Sequence, residues 1–275
     1  MINVAASTIA LPPGDHDAHL SGLCAIGIDA LEVAPSRRWD DTWHGLGNAQ
    51  VESYRRAIEA AGLKVCGLHS LLFDHKDLLL FADDDTRSRL ADFLVHLSAL
   101  CRDLGGRTLI WGGGRLRGDV SNADATARAI DFMAGVCRRI EDHGTVYCFE
   151  PLGPNDSDFI NSALEALDIC RAIDHPSMAM QLDAKALIEN GEVSPDVFAA
   201  VASELEHVHA NEPGLTVIGS SGSIDHARIG TLLRETGYNG YVSAEQRMLN
   251  ADTWAEDLAI SVAAIRRHYC HGEAT

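Results

Sequence analysis

Residues 123–154 read ADATARAIDFMAGVCRRIEDHGTVYCFEPLGP, an amphipathic helix that stops at Gly144, followed by a short apolar strand ending on Glu150. The same pattern occurs in VESYRRAIEAAGLKVCGLHS (51–70), which runs through Gly62 to His69. It recurs in RSRLADFLVHLSALCRDLGGRTLIWGG (87–113), with Leu100 and Leu104 on the apolar face, Gly105 at the stop and a strand to Trp111. HARIGTLLRETGYNGYVSAEQ (226–246) repeats it around Gly237. Glycine past the last helical turn takes the left-handed conformation cheaply, which ends the helix and turns the chain into a strand. In SALEALDICRAID (162–174), Ser162 and Glu165 have the spacing of a capping box, with Asn161 as an alternative cap.

The polar residues that end the apolar strands are Glu32, His69, Trp111, Glu150, Asp183, His209 and Glu245, 26 to 42 residues apart. An opening strand, INVAAS (2–7), brings the count to eight strand–helix units in 275 residues. Strands alternating with helices pair in parallel through right-handed crossovers. Eight such units at this length predict a closed (β/α)8 TIM barrel of class α/β, typically ~250 residues. A doubly wound open sheet is the competing architecture, but no GxGxxG loop follows the first strand. No linker, low-complexity tract or composition break divides the chain, so residues 1–275 are expected to form a single domain.

Charge and composition narrow the function. With 22 basic and 40 acidic side chains the net charge is −18. That excludes a partner recognised through its phosphate backbone and, equally, an anionic membrane surface. Hydrophobic residues make up 46%, ordinary for a soluble globular protein. Seven scattered cysteines with no CxxC pair read as small buried hydrophobes in a reducing compartment. The start, MINVAASTIALPPGD, lacks the basic region of a secretory signal, and no apolar stretch approaches the ~20 residues of a membrane span. The expectation is a soluble, cytoplasmic chain.

In a barrel, strand-end polar residues converge on one mouth, where the active site is built. Four of them carry metal-ligand side chains: Glu150, Asp183, His209 and Glu245. Taken singly, an acid after a strand is more often a helix cap. Together, three carboxylates and an imidazole would repel one another unless a cation or protons neutralised them. This oxygen-rich set with one nitrogen suits Mn2+ first, with Mg2+ or Co2+ as alternatives. Further candidates for substrate contact are His69, Trp111, Arg115, Lys185 and His207. Each has an ordinary alternative: a structural histidine, a barrel-top filler, a solvated loop arginine, a surface lysine, or a residue one layer down in the barrel. Arg115 and Arg117 could also receive a phosphate or carboxylate. Glu32 could make a contact behind the site or a buried hydrogen bond, and His226 belongs to a helix start beside Asp225. Lys185 would share a side with Asp183 if the strand continued.

VYCFEPLGPNDSDFINS (146–162), MQLDAKAL (180–187), HVHANEPG (207–214) and GYVSAEQ (240–246) together resemble the xylose-isomerase-like barrels, the sugar phosphate isomerase/epimerase family. GLHSLLFDHKDLLLF (67–81) extends the resemblance over most of the chain. The resemblance implies a divalent metal held by Glu150, Asp183, His209 and Glu245, with Glu150 and Glu245 also the acid/base pair. It implies a small sugar or sugar-phosphate substrate and leaves a homo-oligomer open. Three positions depart from the family's pattern. Asp156 stands where ketose epimerases place a substrate-binding Glu, Ala186 where many members carry His, and NEPGLTVIG (211–219) lacks an Arg. The expected function is therefore a metal-dependent sugar isomerase or epimerase working through a metal-stabilised enediolate. A dehydratase-type lyase on a related keto-polyol is the alternative, and a non-catalytic sugar-binding barrel or an endonuclease IV-like nuclease ranks lower.

Overall fold

The computed structural model describes residues 1–270, so the last five positions of the expected 1–275 domain lie outside the described residues. Eight parallel strands close a barrel in sequence order: β1 (Asn3–Ser7), β2 (Ala30–Val33), β3 (Lys64–Leu68), β4 (Thr108–Trp111), β5 (Val146–Phe149), β6 (Met178–Asp183), β7 (Leu205–Ala210) and β8 (Tyr241–Ala244). Pairing of β1 with β8, Val4 opposite Val242, completes the ring and excludes the open sheet. Around it lie α1 (Leu20–Ala25), α2 (Pro35–Arg38), α3 (Asn48–Ala60), α4 (Asp84–Asp103), α5 (Asn122–Arg139), α6 (Ala163–Ile173), α7 (Ala184–Glu189), α8 (Pro195–Val201), α9 (His226–Glu235) and α10 (Trp254–Ile265). None of these helices is long and apolar enough to cross a membrane.

The helix boundaries follow the local chemistry read from the sequence. Gly62, Gly105, Gly144 and Gly237 all take positive φ after their helices. Ser162 caps α6 by accepting from the Glu165 amide, whereas the Glu165 carboxylate accepts from the Asn161 amide, one residue before the cap. The Asn161 side chain instead donates to carbonyls of residues 152, 153 and 157, tying the β5–α6 loop together.

The main core fills the layer between barrel and helices, with Phe93, Leu97, Met133, Ile169, Leu232 and Leu258 fully or nearly fully buried. Inside the barrel, small apolar side chains (Ala5, Ala30, Cys66, Cys148 and Ala179) occupy the lower layers. Alternation along the strands then brings titratable residues to the upper layer: Glu32 follows Ala30, and Gln181 and Asp183 follow Ala179. Five of the seven cysteines are buried and every one is free, as expected of small hydrophobes.

Candidate active site

Strand register assembles the mouth. Asp183 pairs with His209, His209 with Ser243, and Ser7 with Glu32. A register shift between Met180 and Gln181 re-aims the end of β6. Glu150 and Glu245 stand one residue beyond β5 and β8. One ligand-type atom from each of Glu150, Asp183, His209 and Glu245 lies within 4.8 Å of the others, so the four strand-end residues meet.

Their orientation is set from below and from the sides. His209 Nε2 donates to both oxygens of the buried Glu32 carboxylate at 3.0 Å, which leaves Nδ1 facing Glu150 Oε1 (3.2 Å) and Glu245 Oε2 (3.4 Å). Ser243 donates to Glu32 at 2.7 Å, and Gln181 donates to Glu150 Oε1 at 2.5 Å. Asn211 bridges Asp183 (2.5 Å) and Glu245 (2.8 Å) through its amide. Asp183 also caps α7, accepting from the Ala186 amide, so the ordinary reading of an acid after a strand and the clustered one hold together.

The charges are far from their solution behaviour. Burial, with the carboxylates of Glu245 and Glu150 beside it, pushes the Asp183 carboxyl up to about 8. Burial alone would raise Glu245, but the His209 imidazolium 3.4 Å away, with His69 beside it, holds it well below the usual carboxylate range. Burial opposes the charge on His209 as well, and Glu32 and then Glu245 raise it well above an ordinary histidine. Glu32 stays ionised despite complete burial because His209, His207 and His69 surround it. Three carboxylates and a nitrogen this close, one of them forced to keep a proton, form a donor set that fits a divalent cation.

Two cavities meet at this point, and Glu150 and Glu245 line both of them. One, of about 370 Å³, is walled by Leu71, Leu72, Phe73, Leu78, Leu79 and the β4 end. The other, of about 290 Å³, is lined by Leu152, Ala186 and Leu215 together with Asp156, Asp183, Lys185 and Asn211.

Several candidates take other places than expected. Arg115 is neither a ligand contact nor a solvated loop residue. It is 1% exposed, and its guanidinium donates to the carbonyls of Gly112 (2.8 Å), Phe159 (3.3 Å) and Glu150 (2.6 Å). Burial brings its pKa down to about 10. It braces the β4 and β5 loops because those carbonyls are otherwise beyond water. Arg117 is likewise occupied, by Asp158 and the Val120 carbonyl. His207 lies one layer down, fully buried, 3.1 Å from Glu32 and away from both cavities. Trp111 lines the apolar cavity, but its ring packs on Phe149 and Phe132 (centroids 5.6 and 5.9 Å), which leaves it 1% exposed and filling the barrel top. Lys185 is on α7 rather than on a continued strand, because the Asp183 cap starts the helix at Ala184. It still reaches the smaller cavity, where it meets Asp156 at 2.5 Å. His69 lines the apolar cavity, hydrogen-bonded to Ser7, with Nδ1 3.7 Å from Glu245.

The sequence reading passed over Gln181, Asn211 and Ser243. The signal was available: each is two residues from a strand-end candidate and so shares its face of the strand. Gly112 was also missed. A Cβ there would sit 2.0 Å from Glu150 Oε2, so Gly112→Ala is expected to unseat that carboxylate and weaken Mn2+ binding by titration calorimetry, with the fold intact by circular dichroism. Arg115→Met leaves the Gly112 and Glu150 carbonyls without their donor, each costing ~1–3 kcal/mol, while the Phe159 carbonyl keeps the Ser157 hydroxyl. Urea unfolding should register a loss of ~2 kcal/mol or more; an unchanged midpoint would show that the brace is dispensable.

A closed parallel barrel with four clustered ligand-type side chains at its C-terminal mouth defines a (β/α)8 barrel whose centre could hold a metal ion. The chain belongs to the xylose isomerase-like TIM barrel family, which it matches over residues 23–267. A D-psicose 3-epimerase of Ruminiclostridium cellulolyticum is 31% identical over 119 residues, a match spanning 43% of this chain and 40% of that protein. The crystal structure of D-psicose 3-epimerase with D-tagatose from Clostridium cellulolyticum H10 superposes with a TM-score of 0.79 at 18% identity, covering 96% of this chain and 97% of the other. The IOLI protein, solved with a bound zinc atom, superposes at 0.77 and 13% identity over the full length of both chains.

Proposed function

We propose that the chain acts as one barrel domain that epimerises a small ketose with a divalent cation, Mn2+ first, held by Glu150, Asp183, His209 and Glu245. The observation that carries this reading is the convergence of those four donors at the place where two cavities join. The D-psicose 3-epimerase relatives support the same reaction class. When bound, the cation supplies Lewis-acid polarisation of the substrate carbonyl.

The remaining work falls to the chain's own groups. Inverting a carbon next to a carbonyl needs a base on one side and an acid on the other. Glu150 and Glu245 both line the two cavities, so a substrate spanning them passes between the two carboxylates. One, as carboxylate, takes the proton, and the other, as carboxylic acid, delivers its own proton to the opposite side. Gln181 holds one oxygen of Glu150, and Asn211 one oxygen of Glu245, which fixes the direction in which each partner faces. The buried leucines Leu71, Leu72 and Leu78 give the larger cavity an apolar wall beside the reacting carbon.

The test is incubation of Mn2+-loaded protein with a set of free ketohexoses in D2O, read by NMR. Deuterium at the inverted carbon with an epimeric product is expected. Loss of water to an unsaturated product would establish the dehydratase instead. No exchange with any ketose, together with no bound metal in excess Mn2+, would sink the reading.

A further inference from the structure

The three carboxylates at the mouth are held in place by the chain itself. Asn211 is 2% exposed, and its amide group donates to Asp183 Oδ2 at 2.5 Å and to Glu245 Oε2 at 2.8 Å. Its orientation is fixed: Oδ1 accepts from the Lys185 backbone amide at 3.0 Å, which turns the nitrogen toward the carboxylates. That nitrogen has two hydrogens, and both are engaged. Asp183 is held from a second side, where Oδ1 accepts from the Ala186 amide at 2.8 Å. Gln181, fully buried, donates to Glu150 Oε1 at 2.5 Å. The other oxygen of Glu150 lies only 2.0 Å from where a Cβ on Gly112 would stand, so that carboxylate is confined on both sides.

These bonds bear on which ion the centre takes. The inference rests on the epimerase reading, with its cation at the four strand-end residues, and deepens it to the kind of cation. Calcium collects about 6–8 oxygens at about 2.3–2.6 Å and commonly takes both oxygens of a carboxylate. Smaller divalent ions take fewer and shorter bonds in a stricter geometry. To give both oxygens to one ion, Asp183 or Glu245 has to turn its carboxylate plane. That turn breaks a hydrogen bond to Asn211 in a buried place, where a donor left without a partner is costly. Because one amide serves both carboxylates, neither can turn independently. We propose that Asn211, assisted by Gln181, restricts the carboxylates to one oxygen each and thereby selects a small divalent cation, Mn2+ in particular, over Ca2+. Asn211 is a positioning residue, since it acts on the ion through Asp183 and Glu245. The His209 nitrogen also disfavours Ca2+, which prefers oxygen ligands, but it does so equally with or without Asn211.

The experiment is titration calorimetry of the full chain with Mn2+ and with Ca2+, at one pH, on wild type, Asn211→Leu, Asn211→Asp and Gln181→Met. Melting temperatures of the cation-free proteins show which variants fold. Wild type should bind Mn2+ at least about 100-fold more tightly than Ca2+. Asn211→Leu should narrow that ratio about 10-fold or more, the usual weight of a side chain that orients a metal ligand. Asn211→Asp keeps an acceptor for the Lys185 amide but offers the carboxylates no amide donor, so the ratio should narrow there too. A residue that only tied β7 to α7 would keep the wild-type ratio in Asn211→Asp. Gln181→Met, similar in length, frees Glu150 and carries the test if neither Asn211 variant folds. An unchanged ratio in the folded variants, equal losses for both ions, or a wild type that binds Ca2+ as tightly as Mn2+ would overturn the assignment. A wild type that binds neither ion would instead condemn the cation centre, and the epimerase reading with it.

Discussion

Glu150→Gln and Glu245→Gln should each reduce turnover by at least ~10²–10⁴-fold, the usual size of a lost general acid or base. The amide keeps the shape of the side chain, so the partners of each carboxylate decide how cleanly it substitutes. Glu150 accepts from Gln181 at 2.5 Å, and Glu245 accepts from Asn211 at 2.8 Å. Either contact survives if the amide places its oxygen there. The two variants then separate the faces of the substrate carbon. In D2O a single variant can still exchange the proton on the face served by its remaining carboxylate, giving label without inversion. The check is NMR of recovered ketose alongside the metal content of each variant. Near-normal turnover in both, with metal retained, would move the proton transfer to another group, with His69 and Lys185 the nearest candidates.

Divalent cation binding should tighten steeply with pH, by between ~10- and ~100-fold per unit below pH 8, because ligands must shed protons to coordinate. The Asp183 carboxyl is held up at about 8 by burial and by Glu245 and Glu150, and His209 keeps a proton on the nitrogen that faces the cluster. Both protons leave when a cation enters. Titration calorimetry in two buffers of different ionisation enthalpy counts them; a pH-independent affinity would show that the four residues do not bind the ion. The same shift predicts a stability signature. Asp183 titrates near 3.8, as an ordinary aspartate, when unfolded, so between pH ~4 and ~8 the folded, cation-free protein holds a proton that the unfolded chain has lost. Its contribution to stability is complete below pH ~4 and disappears as pH rises through 8. A saturating cation replaces that proton, and at 100 times Kd it adds ~2.7 kcal/mol. Melting temperatures with and without Mn2+ should therefore diverge as pH rises.

Much of the molecule is determined by the sequence alone. Period 3.6 changing to short apolar runs at Gly62, Gly105, Gly144 and Gly237 locates the alternating helices and strands, because these are signals within one or two turns of chain. The recurrence of strand-end polar residues every 26 to 42 positions predicts eight units, and the closed ring brings Glu150, Asp183, His209 and Glu245 together. Side-chain allegiance is another matter. Arg115 sits four residues beyond the end of β4, in a loop that looks solvated, yet the carbonyls that capture it come from three segments up to 44 residues away. His207 and His209 share a strand face by alternation, and both are buried against Glu32 from β2; only His209 also meets Glu150 and Glu245 at the mouth. Lys185 belongs to a helix because Asp183 caps it, and to a cavity because Asp156 arrives from another loop. Local sequence determines where the backbone turns, since those energies arise between near neighbours. Which buried polar group is satisfied by which partner depends on desolvation and on contacts between distant strands, and these exist only once the barrel has closed.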